Sequence, residues 1–157
     1  MYTSTYSFLL SLHSWNRWAV LITLIWAIGN SYYKKRNQLT YSLKDQVSKF
    51  AVLLILYTQE VLGILLYAKS ALSQFFIQNT GEGISLREVR FFGLEHITVM
   101  LLSLIVITIG SVKIHQSNLA LDKHRLTAQW FGVGLLLILS SIPWSFSPLI
   151  SRPLFRF

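Results

Sequence analysis

The chain has 157 residues, 53% hydrophobic and 13% charged, with a formal net charge of +8 and no cysteine. A soluble domain carries about 25% charged residues, so this deficit, with a mean hydropathy of +0.50, points to an integral membrane protein. Without cysteine there is no disulfide, thiolate metal site, Cys-ligated iron–sulfur cluster or c-type haem attachment, which leaves histidine, carboxylate and methionine as ligands.

The first twelve residues, MYTSTYSFLLSL, turn from polar to apolar and read as a short interfacial lead-in. They have no basic n-region and no small-residue cleavage site, so no removable signal is expected. A first span follows over residues 12–32, with Trp15 and Trp18 at headgroup level and Arg17 as a charge just inside. A basic loop over 33–49 leads to a second span at 50–68, with Glu60 near its middle. A carboxylate at that depth costs about 2.5–3.5 kcal/mol on insertion scales, so it is expected to face protein or water. Residues 69–92 form the longest connection: SALSQFFIQ reads as a short amphipathic surface helix and NTGEG as a turn. The third span covers 93–112 and the fourth 126–146, joined by a polar loop over 113–125. Pro143 comes near the end of the fourth span and need not break much of its helix. The tail SPLISRPLFRF reads as partly interfacial.

Four spans with short connections predict an all-α fold, a single membrane domain built as an antiparallel four-helix bundle. Lys34, Lys35, Arg36, Lys44, Lys49, Lys113, Lys123 and Arg125 fall on one side of it. Lys69, Arg87, Arg90, Arg152 and Arg156 fall on the other, with Arg17 inside the membrane. Eight against five puts the first set in the cytoplasm and both termini in the periplasm of a bacterial inner membrane. The basic residues sit in loops between apolar spans, so they read as orienting charges and not as a nucleic-acid surface. The partners expected are the lipid bilayer and other membrane subunits.

That topology sorts the four histidines by depth. His13 and His96 lie near the outer ends of spans one and three, and His115 and His124 near the inner surface. Helical periodicity then gives the faces. His13, Arg17, Leu21 and Leu24 share one on the first span. Tyr57, Glu60, Ile64 and Tyr67 share one on the second, bordered by Gln59 and Gly63. The third carries His96, Met100, Ser103, Ile107 and Gly110; the fourth carries Trp130, Gly134, Leu137, Ser141 and Trp144. Small residues on these stripes allow close helix approach.

An outer histidine pair on facing helices can hold a haem iron. On that reading His13 and His96 are the axial ligands, Met100 is the reserve ligand and Arg17 meets a propionate. The competing reading makes both histidines ordinary interfacial side chains bonded to Glu95, backbone or water. His115 and His124 are weaker inner-side candidates, because His124 in Asp122-Lys123-His124-Arg125 reads as a solvated basic edge. Glu60 is an ion-pair partner for Arg17, with Glu95 competing, or else a proton-relay or quinone-site carboxylate.

LHSWNRWAVL in the first span, Gln59, Gly63 and Leu66-Tyr67 in the second, EHITVM and ITIG in the third, and DKHR with IPWSF in the fourth resemble small membrane proteins of Bacteroidetes labelled cytochrome b-like. The resemblance implies b-type haem, with roles falling on His13, Arg17, His96 and His124. The chain departs from respiratory cytochrome b, where paired histidines lie about fourteen apart on each of two helices; His96 and His115 are nineteen apart. Two functions are therefore expected: a haem b electron-transfer protein or subunit of a redox complex, passing electrons to a quinone, or a haem-free accessory subunit of a larger membrane complex. Neither is an independent enzyme, since little chain lies outside the spans. A transporter is disfavoured, because no span is duplicated in inverted form or broken in mid-membrane.

Overall fold

The computed structural model describes residues 2–145 and 150, with side chains from Thr5 onward. The expected interfacial tail apart from Ile150, with Arg152 and Arg156, lies outside the described residues, as does Phe146, the last residue of the fourth span. The fold is all-helical, with no strand among the described residues. Four long helices carry it: α1 Tyr2–Arg36, α2 Leu43–Lys69, α6 His96–Gln116 and α7 Ala120–Ser141. Three short ones, α3 Ala71–Gln78, α4 Thr80–Ser85 and α5 Arg87–Arg90, fill the connection between α2 and α6. A π-helical turn at Phe91–Glu95 joins α5 to α6. Two helical segments, Leu43–Lys69 and Arg87–Gln116, are long and apolar enough to cross a membrane.

The helices run further than the sequence pattern predicts. MYTSTYSFLLSL has neither Gly nor Pro to stop a helix, so the expected lead-in is the first three turns of α1. The 33–49 loop shrinks to residues 37–42 and the 113–125 loop to 117–119. α1 ends on three basic residues, Lys34 to Arg36, which favour the negative end of the helix dipole. Gln38 then takes the left-handed conformation, φ 52°. The Gln38 and Leu39 amides turn back to the carbonyls of Lys35 and Lys34, a Schellman ending in which glycine is the usual residue. The expected NTGEG turn is instead helix α4. Its glycines have ordinary negative φ, and Gly83 is needed for space: a Cβ there would come within 2.9 Å of the Phe76 ring.

Neighbouring long helices pack antiparallel. α1 lies against α2 and α7, and α6 lies against α7 and α2. Asn16 on α1 bonds Gln59 on α2 at one level, and Asn30 bonds Asp45 about four turns away. α6 and α7 approach closest, and two glycines permit it. A Cβ on Gly110 would sit 2.3 Å from Trp130 Cβ, and one on Gly134 would sit 2.3 Å from Ile107 Cγ1. The core between them is Val20, Leu21, Leu24, Val52, Leu56, Ile107, Ile114, Phe131 and Ile138. The α6 stripe is as the periodicity predicts, with Ser103, Ile107 and Gly110 buried. The α2 stripe is rotated by about one residue: Tyr57 and Ile64 are exposed, and Val52, Leu56, Gln59 and Glu60 are inside. On α7 the buried line is His124, Thr127, Phe131, Gly134, Ile138 and Ser141, so two of the five predicted positions, Gly134 and Ser141, are fully buried.

Candidate functional site

A half-open cavity of about 290 Å³ lies between α1, α2, α3, α6 and the end of α7. It is at the lower edge of the range for small-molecule sites, roughly 300–1,000 Å³. Its polar lining includes His13, Arg17, Gln59, Glu60 and His96, with Met100 and Tyr67 beside them. The rest is mostly apolar: Leu10, Ile64, Leu72, Phe92 and Ile142 among others. Of the outer residues expected from the sequence, His13, Arg17, Glu60, His96 and Met100 line this one space, and Glu95 and Trp144 do not.

His13 is set by a chain of amides that the sequence pattern did not single out as a network. Asn16 Nδ2 donates to the Ile55 carbonyl at 3.1 Å and to Gln59 Oε1 at 2.9 Å. Gln59 Nε2 donates to the His13 carbonyl at 3.2 Å and to His13 Nε2 at 3.1 Å. The two backbone carbonyls can only accept, so they fix which way both amides point. His13 Nε2 is then the acceptor, and the ring proton falls on Nδ1. That atom is buried with no hydrogen-bond partner. It faces Gly63, where a Cβ would lie 3.4 Å from His13 Cε1.

His96 is set from the other side. Its Nδ1 donates to the Ser141 carbonyl at 2.8 Å and touches Ser141 Oγ at 3.3 Å. A proton on Nδ1 leaves the lone pair on Nε2, which has no hydrogen-bond partner among the described residues. The rings of Phe91 and Phe92 flank the imidazole, with centroids at 5.7 and 6.2 Å. The π-turn directly precedes it. Its widened spacing sends the His96 amide back to the Phe91 carbonyl and leaves neighbouring carbonyls for side chains. Tyr67 Oη donates to the Gly93 carbonyl at 2.8 Å, and Ser73 Oγ to that of Phe92 at 3.5 Å. Such turns occur often at functional sites, because they re-aim the residues that follow.

The charged residues depart from the predicted pairing. Glu95 pairs with Arg90 at 2.6 Å on the exposed surface and does not reach Arg17. Arg17 lies 5.7 Å from the Trp18 ring centre. Glu60 is buried and faces the cavity. Lys34–Asp45, Arg90–Glu95 and Asp122–Arg125 are ion pairs among the described residues, and the expected Arg17–Glu60 pair is not one of them. No group of three or more metal-ligating side chains occurs among the described residues.

The inner histidines separate. His115 is exposed. His124 is completely buried, which overturns its reading as a solvated basic edge. Because α7 begins at Ala120, the DKHR segment is helical and turns His124 onto the buried face. It packs on Tyr41, ring centroids 5.2 Å apart, and neither ring nitrogen has a partner. Tyr41 lies in the 37–42 connection. Burial, with Asp45 nearby, pushes its phenol up to about 12, so it stays protonated and a donor. The chain matches no family model, no curated protein and no solved structure.

Proposed function

We propose that this chain is an integral membrane protein whose four long helices form an antiparallel bundle, and that it holds b-type haem between His13 and His96 as an electron-transfer protein or subunit of a redox complex. The observation that carries this reading is a pair of imidazoles from different helices on one cavity. Each has one ring nitrogen held by protein and the other without a partner.

The fit differs between the two. His96 has the arrangement usual for a ligating histidine, with Nδ1–H given to a carbonyl and Nε2 left as the ligand atom. His13 Nε2 already accepts from Gln59, so ligation there exchanges that one hydrogen bond; Gln59 keeps its second acceptor, the His13 carbonyl. Gly63 leaves the His13 ring its room. Met100, one turn beyond His96 on the same wall, is the reserve ligand. Bound haem would supply one-electron redox chemistry. The protein's part is to hold the imidazoles, to offer the Arg17 guanidinium to a propionate, and to keep water out with Leu10, Leu72, Phe92 and Ile142. The mostly apolar wall suits a quinone as electron partner, with Glu60 as the carboxylate facing it.

The chain would lie in a bacterial inner membrane. The eight-to-five basic bias puts the 37–42 and 117–119 connections in the cytoplasm and the termini in the periplasm. Reporter fusions after Lys44 and Asn118 should read cytoplasmic, and one after Asn79 periplasmic; the reverse pattern moves the histidine pair to the other side. A haem-free accessory subunit is the second reading, favoured by the satisfied His13 Nε2: both imidazoles are then ties, α1 to α2 and α6 to α7. Alanine at His13 or His96 separates the two. On the first reading each variant loses the cofactor or makes it five-coordinate, while His115→Ala leaves the spectrum unchanged. A correctly folded wild type with no cofactor to lose establishes the second.

A further inference from the structure

The opposite end of the molecule has two cations and no carboxylate left for them among the described residues. Lys49 is 4% exposed, and its ammonium has no hydrogen bond or ion pair among the described residues. Lys123 lies over the Tyr41 ring at 5.2 Å and likewise has neither. Among the described residues Tyr41 Oη makes no hydrogen bond, and His124, 0% exposed, has neither ring nitrogen satisfied. The nearest carboxylate is already full. Asp45 Oδ1 accepts from Asn30 and Lys34, and Oδ2 accepts from Lys34 and from the Ser42 amide and hydroxyl. The next one, Asp122, is paired with Arg125. Two unpaired cations beside a fully buried imidazole whose ring nitrogens both lack partners call for an anionic occupant. Tyr41 and Lys49 also line a cavity of about 10 Å³ with Asn30, Asp45, Ser48 and Thr127, room for about one water.

We propose that Lys49, Lys123, Tyr41 and His124 bind a phosphate group, and that the phosphate is carried by an anionic phospholipid of the adjoining leaflet. Lys123 over the Tyr41 ring, Lys49 over the Phe50 ring at 4.8 Å, the Tyr41 phenol and the His124 ring N–H match a group with several acceptor oxygens and negative charge. Basic pockets between helices at a membrane surface are suited to such headgroups. Leu43, Val47 and Phe50 are exposed on the same stretch of α2 and offer acyl chains an apolar wall. The lipid source rests on the membrane reading above, but the site does not depend on haem.

The test uses the full chain in nanodiscs of phosphatidylcholine with and without phosphatidylglycerol. Native mass spectrometry reads the retained lipid, and thermal unfolding is compared in inorganic phosphate and in chloride at matched ionic strength. Phosphatidylglycerol should be retained selectively, and Lys49→Gln or Lys123→Gln should each weaken that retention about fivefold or more. Lys44→Gln, exposed at the same end, should leave it unchanged. If Lys49→Gln does not fold, Lys123→Gln carries the comparison. Stabilisation by inorganic phosphate, lost in the same variants and without lipid selectivity, keeps the phosphate site and overturns the lipid source. No effect of either, or an equal effect of Lys44→Gln, overturns the site. Alkaline extraction of membranes scores integration separately, and the inorganic-phosphate arm remains decisive if the chain is extracted.

Discussion

The two ends of the helix array differ in what their buried polar groups lack. The histidine end has space: a cavity of about 290 Å³, into which two imidazoles, a guanidinium and a carboxylate face. The lysine end has almost none, about 10 Å³, but it has cations whose nearby carboxylates are already paired. At the first end, the Asn16–Gln59–His13 chain spends its hydrogen bonds on fixing a ring. At the second, Asp45 spends all its acceptor capacity on closing the α1–α2 turn. A site defined by room is expected to take a shaped ligand, and one defined by missing charge is expected to take an ion or headgroup.

Breaking each end's organising residue sharpens this contrast. Asp45→Asn should have the largest effect. It leaves Lys34, 19% exposed, without its counter-charge and weakens the acceptor for Asn30 and Ser42, a loss of about 3 kcal/mol. Denaturation of the purified variant measures it. Gly134→Leu should cost about 1–3 kcal/mol or more, because even a Cβ meets Ile107 at 2.3 Å. Gly132→Ala, with nothing within 4 Å, should instead gain about 0.5–1 kcal/mol from helix propensity. Gln59→Leu should cost about 1–3 kcal/mol by orphaning buried partners at the histidine end. Gln59 and Asp45 lie about 21 Å apart along α2, so the double variant should be additive within about 0.5 kcal/mol. Marked non-additivity would mean that the ends are coupled.

Smaller effects test the 37–42 connection. Tyr41 should titrate near pH 12, with Tyr41→Phe removing that component from an absorbance titration. Its folded-state value lies above the ordinary one near 10, so the stability it contributes is complete below pH 10 and is lost as pH rises through 12. Gln38→Gly should gain about 1 kcal/mol by relieving a left-handed residue.

The sequence makes the histidine end legible because depth and periodicity are properties of single helices. Four apolar runs and a helical rise are enough to bring His13, Arg17, Glu60, His96 and Met100 to one level, and all five line the cavity. What it hides is partner choice. Glu95 can reach Arg90 only because the π-turn shifts the phase of the segment, and no residue pattern marks that turn. Gln59 and Gly63 stood on the border of the predicted stripe, and a rotation of about one residue puts Gln59 fully inside. The lysine end was misread for a simpler reason. Charges and histidine at a span's end look solvated when the span is drawn by hydropathy, whereas the helix continues through them and buries His124.

The most direct test of the histidine-end account is the reduced-minus-oxidised optical spectrum of the full chain purified from haem-replete membranes. The account predicts a Soret band and a sharp reduced α-band in the wild type, both lost or shifted in His96→Ala. A featureless visible region in folded, membrane-extracted protein would contradict it and leave His13 and His96 as ties between helices.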